Sequence, residues 1–177
     1  MKITIVGAGR VGEHLAKYLT DEDQDVYLVD SDAEKLAVLE SDFNMRTFIG
    51  QPTDFNTLRE ANAENADFFV ALTADTSDNL VACAMAKSMG AKRTIARVNR
   101  YDFVEPINEG VVRRMGVDNI VYPDLSAAKA IINSLAHPWS LCWNDFDNGA
   151  ILQTSVAVDE EAPIVGHIPL HSGLTPS

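Results

Sequence analysis

The chain begins MKITIVGAGRVGEHLAKYL: a β-branched run, three closely spaced glycines, then apolar residues at helical spacing. Gly7-Ala8-Gly9-Arg10-Val11-Gly12 is a G-x-G-x-x-G motif set at a strand-to-helix transition. Few features constrain a fold so tightly, because each glycine has a separate task in that setting. The first permits the tight turn, the second lets a pyrophosphate approach the backbone, and the third lets the helix pack close on the strand. The helix start adds unpaired N–H groups and a positive dipole end. A turn that merely uses glycines is the alternative, and without its flanking elements the motif would be weak.

The pattern that follows repeats the strand-then-helix theme. Lys2–Val6, Val26–Asp30, Arg46–Ile49, Asp67–Leu72, Thr94–Val98 and Asn119–Val121 read as six short strands, bounded by Gly, Asp or Pro. Several are apolar nearly throughout, as parallel strands covered on both faces are. Helical spacing relates Val11, Leu15, Tyr18 and Leu19, then Leu36 and Leu39, then Leu58 and Ala61. It relates Leu80, Val81, Ala84 and Met85 as one face, and Leu125, Ala128, Ile131, Ile132 and Leu135 as a last stripe. Asp54 and Asp78 are expected as helix caps, and Pro123-Asp124 opens the final helix. The expected fold is α/β: a doubly wound, Rossmann-type parallel six-stranded sheet with helices on both faces, in the order 3-2-1-4-5-6. A ligand then lies beyond the carboxyl ends of the strands, near Gly7–Gly12, Asp30, Gly50–Pro52, Thr73–Asp75 and Arg97.

Asp30 closes the second strand, where a carboxylate accepts hydrogen bonds from an adenosine ribose and repels the 2′-phosphate of NADP. Asp32 adds to that repulsion; either acid has capping of the next helix as its alternative. Thr73-Ala74-Asp75 ends the fourth strand, where backbone and hydroxyl contacts with a cofactor compete with a terminator-plus-cap role. Arg97 near the end of the fifth strand reads as a buried ion pair, a phosphate contact or an outward surface residue. Arg10 is placed to reach phosphate or to point into solvent. Lys87, Lys92 and Arg93 read as a solvated helix end.

Other functions lose ground on composition. A net charge of −12 disfavours nucleic-acid and anionic-membrane surfaces, which need clustered Lys and Arg. No apolar run approaches the roughly 20 residues of a membrane span. The opening strand is too short and too early in its glycines for a signal peptide. Cys83 and Cys142 have no C-x-x-C spacing and read as free thiols in a reducing compartment. Neither His14 nor His137, His167 and His171 stands at an expected strand end, and no catalytic triad, carboxylate pair or metal spacing stands out. After His137 the chain changes character, with Trp139 and Trp143 close together and a strand-like Ala150–Val158.

The glycine segment, VYLVDSD, GQPTDFNTLREA, ADFFVALTADTSDNLVACAMAK and TIARV, taken in order, resemble the TrkA family over about residues 1–160. Its nucleotide-binding unit is also called an RCK or KTN domain. The resemblance implies a cytoplasmic, NAD-binding regulatory subunit of a Trk-type potassium uptake system, peripheral to the inner membrane face through its potassium-translocating partner. It places Gly7, Ala8, Gly9, Arg10 and Val11 in the NAD loop, with Gly12 behind them. Asp30 becomes the ribose acid, Thr73 and Ala74 the loop after the fourth strand, and Arg97 an arginine that reaches the nucleotide. NAD or NADH is the implied cofactor, with ATP or ADP as alternatives; no metal, nucleic-acid or direct membrane contact is expected. Pairing with a second copy is implied through Asp124–Leu135 and His137–Phe146. The implied organisation is a nucleotide-binding domain over 1–136, a connecting and dimerisation segment over 137–149, and the start of a truncated C-terminal subdomain over 150–177. A truncated NAD-dependent oxidoreductase is the rival reading. A metabolite-sensing transcription factor is a third, opposed by the acidic charge and the missing DNA-binding motif.

Overall fold

The computed structural model describes residues 1–43, 45–146, 151–159, 162 and 165, and their side chains except at 42, 145 and 146. The chain divides into two compact units, Met1–Ser126 and Ala127–Ser177. The first is built on β1 (Lys2–Val6), β2 (Asp25–Asp30), β3 (Arg46–Ile49), β4 (Phe68–Ala71), β5 (Arg93–Arg97) and β6 (Asn119–Val121). All pairings are parallel and the order is β3-β2-β1-β4-β5-β6, as expected. The helices are α1 (Arg10–Asp21), α2 (Ala33–Asp42), α3 (Phe55–Glu60), α4 (Thr76–Met89) and α5 (Glu109–Arg114); α6 (Pro123–Ala136) leads into the second unit.

Strand periodicity divides the core in two. Ile3, Ile5, Val26, Leu28, Val70 and Leu72 point to one face, where Leu15, Ala16 and Leu19 of α1 and Leu36 and Leu39 of α2 meet them. Val6, Tyr27, Val29, Phe69 and Ala71 point to the other, against Leu58 of α3 and Leu80, Ala82, Cys83 and Ala86 of α4. Two faces of apolar cover explain why β1, β2 and β4 are buried along most of their length. Burial pushes the Cys83 thiol up to about 12, so of the two free cysteines only exposed Cys142 is open to reagents.

Several details differ from expectation. α4 is capped by Asp75, whose carboxylate accepts from the Asp78 N–H at 3.0 Å; Asp78 is a first-turn residue, not the cap. Asp54 does cap α3, accepting from the Thr57 N–H at 2.8 Å. Val11, Tyr18 and Val81 are exposed, because the sheet takes up only a narrow stripe of each helix. Lys92 and Arg93 are exposed just beyond α4, as expected, but the two lysines are also paired. Lys87 pairs with Asp118 and Lys92 with Asp67, both at 2.7 Å. α5 and the 3₁₀ turns Tyr101–Val104 and Pro106–Asn108 fill the connection between β5 and β6, where no helix is expected from spacing.

These ion pairs carry a pH prediction. The Lys92 ammonium, and then the Lys2 N–H, hold the Asp67 carboxyl below its ordinary range. Burial pushes Asp118 up, but its bonds from Lys87 and Thr94 outweigh that and leave it lowered. A carboxyl depressed in the folded state adds stability above its unfolded value, and loses it as pH falls through the folded one. The urea midpoint should therefore be nearly flat from neutrality to about pH 5 and fall below about pH 4. Asp118→Asn should lower the neutral midpoint and shallow that acid limb. A midpoint that rises on acidification contradicts the assignment.

In the second unit β7 (Cys142–Phe146) and β8 (Ile151–Ser155) form an antiparallel hairpin, with Trp143 opposite Thr154. β8 lies within the expected strand; β7 is additional. His137 stacks on Trp143 at 3.6 Å between centroids, and Trp139 stands edge-on to both rings. Ile131, Ile132, Leu135 and Trp139 are exposed. The Phe146 side chain, His167, His171 and all of Pro163–Leu170 except Val165 lie outside the described residues. No described helix is long and apolar enough to cross a membrane.

Candidate functional site

The carboxyl ends of β1, β2, β4 and β5 open onto one cleft of about 320 Å³. Its walls include Gly7 and Gly9 from the first loop, Asp30 and Ser31 after β2, Gln51 and Pro52 after β3, Thr73 and Ala74 after β4, and Arg97 at the end of β5. The strand order places this cleft: successive strands run outward from β1 to β3, the chain then crosses back to β4 on the other side of β1, and the order reverses between β1 and β4.

The glycine loop is held by three different constraints. Gly7 has φ +100°, and a Cβ there would meet the Thr73 nitrogen at 2.8 Å. A Cβ on Gly12 would meet the Gly7 carbonyl oxygen at 1.9 Å, so α1 packs directly on the turn. Gly9 differs from both. Its backbone is extended, at φ −69° and ψ 178°, and a Cβ built on it meets nothing within 4 Å. The protein itself has no steric need for glycine there, and Gly9 is exposed in the lining of the cleft. Gly9 is also the N-cap of α1, with no side-chain bond to the first-turn N–H groups. The starts of α2, α3 and α4, by contrast, are each closed by an aspartate.

Asp30 does not cap a helix. Its Oδ2 accepts from the Ala8 N–H at 2.6 Å and its Oδ1 from the Asp32 N–H at 2.9 Å. One carboxylate thus ties the end of β2 to the glycine loop and remains half-buried in the cleft wall. Asp32 is the cap of α2, accepting from the Lys35 N–H at 3.0 Å. Its carboxyl lies below the ordinary range, chiefly through that bond. The Lys35 ammonium lies 3.6 Å from it and lines the cleft, offsetting part of the negative charge at this end.

Thr73 lines the cleft, and its hydroxyl accepts from the Asp75 N–H at 3.3 Å as α4 begins. Arg97 is half-buried, lines the cleft and makes no ion pair among the described residues, which removes the buried-pair alternative. Of the ten residues singled out from sequence, Gly7, Gly9, Asp30, Thr73, Ala74 and Arg97 meet in the cleft. Ala8 is buried behind it and Gly12 beneath the turn, while Arg10 and Val11 are exposed outside its wall. Lys35 and Asp78 line it without having been anticipated there. Among the described residues the lining contains no histidine, tyrosine or cysteine, and its lysine, Lys35, is paired with Asp32.

The sequence model of the TrkA-N domain matches residues 3–123, which span the whole sheet and the cleft. The chain belongs to the TrkA-N domain family. The Trk system potassium uptake protein TrkA of Haemophilus influenzae is 32% identical over 173 residues, covering 94% of this chain and 37% of that protein. The chain thus spans little more than a third of this relative's length. Among solved structures, the TrkA-N domain of the inner membrane protein ybaL from Escherichia coli aligns with a TM-score of 0.67 at 19% identity, covering 75% of this chain and 95% of that one. The GsuK channel bound to NAD aligns with a TM-score of 0.58 at 20% identity, over 81% of this chain and 25% of that one. The Kef C-terminal domain of Shewanella denitrificans in AMP-bound form gives a TM-score of 0.58 at 18% identity, over 76% and 79% respectively. At these identities the structures establish a shared TrkA-N fold.

Proposed function

We propose that this TrkA-N chain is a regulatory module that binds an adenine nucleotide in its cleft and passes the binding state to a potassium-translocating membrane protein. The observation that carries the reading is Gly9: a helix start left uncapped and bare of a side chain, facing open space that no protein atom fills. A nucleotide diphosphate has the charge and the close backbone approach that such a start favours. Asp30 would take the adenosine ribose, with Thr73, Ala74 and Arg97 on the opposite wall. NAD or NADH is preferred over NADPH because Asp30 opposes a 2′-phosphate; ATP and ADP are the competing ligands. Bound NAD would supply a redox-active nicotinamide, yet the described wall holds no histidine, tyrosine or cysteine and its lysine is paired with Asp32, which favours regulation over an oxidoreductase. The NAD-bound channel and AMP-bound domain of like fold, and the TrkA relatives, support the same reading.

The module would work at the cytoplasmic side of its transporter. Residues 1–136 form its nucleotide domain, 137–149 a connecting and pairing segment, and 150–177 the start of a further subdomain. Regulation requires that nucleotide bind one arrangement of neighbouring modules better than another.

Titration calorimetry with NADH, NAD, NADPH, ADP and ATP tests the binding. Asp30→Ala should weaken NADH binding by about 1.5–3 kcal/mol, the worth of charge-assisted hydrogen bonds. Gly9→Ala should cost no more than about 1 kcal/mol of stability, as a change between weak caps does, yet remove most of the NADH affinity. A Gly9→Ala chain that binds normally rejects the cleft assignment. Hydride exchange between bound NADH and small carbonyl compounds at an enzymatic rate rejects the regulatory one. Potassium flux through reconstituted transporter, measured with the full-length regulator, should respond to nucleotide; indifference to regulator and nucleotide alike rejects the partnership.

A further inference from the structure

The buried face of α4 is built from Leu80, Ala82, Cys83 and Ala86, but Asn79 lies among them at 1% exposure. A buried amide costs free energy unless its hydrogen-bonding capacity is met. Here it is met in full. Asn79 Oδ1 accepts from the Thr73 N–H at 2.9 Å and from the Thr73 hydroxyl at 2.8 Å. Asn79 Nδ2 donates to the Thr73 carbonyl at 3.1 Å and to the Arg97 carbonyl at 2.9 Å. The amide orientation is unambiguous, since a flip would set its oxygen against two carbonyl oxygens.

The partners matter more than the burial. Thr73 follows β4 and Arg97 ends β5, and both line the cleft, while Asn79 does not. The ladder between β4 and β5 runs from Phe68 opposite Arg93 to Ala71 opposite Ala96, and Thr73 and Arg97 lie beyond its last rung. One side chain behind the wall therefore spans the gap beyond the last rung. The neighbouring Thr76 makes a separate tie, to Asn99, accepting from its N–H at 3.0 Å. Thr76 is similarly buried, but neither it nor Asn99 lines the cleft.

The geometry points to Asn79 as the positioning residue of the nucleotide cleft, an amide that sets Thr73 and Arg97 in register with each other; this rests on the nucleotide reading given above. Asn79→Asp keeps the shape but replaces the two donors with an oxygen facing two carbonyls, so it breaks the tie without opening a cavity.

NADH is the probe, titrated by fluorescence into the full chain and its variants. Asn79→Asp should weaken NADH about tenfold, the scale of one buried hydrogen bond lost. Adding Arg97→Ala to Asn79→Asp should weaken it by less than about threefold further, because both changes disable the same wall, whereas Asp30→Ala should multiply with Asn79→Asp as an independent site does. Thr76→Val, which loosens the same helical turn, should lower the urea midpoint yet leave NADH affinity within about twofold. If Asn79→Asp does not fold, Asn79→Ser carries the same cycle. Unchanged affinity in the Asn79 variant, or full additivity with Arg97→Ala, overturns the positioning role alone. An unmutated chain that binds no NADH overturns the nucleotide reading, and this role with it.

Discussion

Gly12→Ala should unfold the first unit or leave it barely stable, with a loss of at least about 3 kcal/mol, the upper part of the range for overpacked sites. The added methyl would sit 1.9 Å from the Gly7 carbonyl oxygen. Flexible side chains relieve such clashes by rotating, but this neighbour is backbone. Gly7 cannot retreat either, since its N–H donates to the Val29 carbonyl at 2.8 Å and its α-carbon faces Thr73. α1 would have to lift off β1 and give up the burial of Ala16 and of Leu15 and Leu19 beside it. Urea denaturation followed by circular dichroism measures the loss. Set beside Gly9→Ala, the pair separates two demands that one motif combines, close packing at Gly12 and open space at Gly9. A Gly12→Ala chain with an unchanged midpoint would mean that helix and turn are not in contact.

Self-association should show the second large effect. Ile131, Ile132 and Leu135 are 60%, 62% and 77% exposed on α6, and Leu141, Ile151 and Leu152 are exposed nearby in sequence on the hairpin. Covering one such side chain is worth about 1.5–3 kcal/mol, and a two-fold pairing counts each residue twice. Light scattering at micromolar concentration should give about twice the chain mass of 19.3 kDa. Ile131→Glu with Leu135→Glu should return it to a single chain, because two carboxylates on each helix would have to be buried unpaired. NADH affinity should persist, since neither residue lines the cleft. Trp139→Ala with Trp143→Ala should act in the same direction. Trp139 is 57% exposed; Trp143 is partly engaged with His137, so its loss also disturbs the unit internally. A parent chain that runs as a monomer defeats the pairing for these 177 residues.

The sheet was legible in the sequence because its strands are dense in β-branched residues and end sharply. Lys2–Val6, Arg46–Ile49 and Asn119–Val121 coincide with the expected spans, and the others shift by a residue or two at their ends. α5 escaped notice because six residues containing Gly110 and two valines have little helical propensity; tertiary cover of Val112 holds them. β7 escaped because Asn144 and Asp145 are poor strand formers, and pairing with β8 decides their state. At the cleft, Gly7, Gly9, Asp30, Thr73, Ala74 and Arg97 were readable since strand ends converge by topology. Lys35, Asp78 and Asn79 were not, because their placement depends on how α2 and α4 are rotated against the sheet. Arg10 and Val11 share the motif's spacing and are exposed, but they are not among the residues that line the cleft.

Both indoles of the chain, Trp139 and Trp143, belong to the second unit. Selectively excited emission therefore reads that unit alone, while the sheet and its cleft, furnished with tyrosine and phenylalanine, stay dark. Ring stacking of His137 on Trp143 makes one of the two emitters sensitive to its local partner. NADH absorbs where indoles emit, so a nucleotide held in the cleft would act as an acceptor for donors located only in the other unit. With NADH bound as proposed, the chain would thereby carry its own donor–acceptor pair without added dyes.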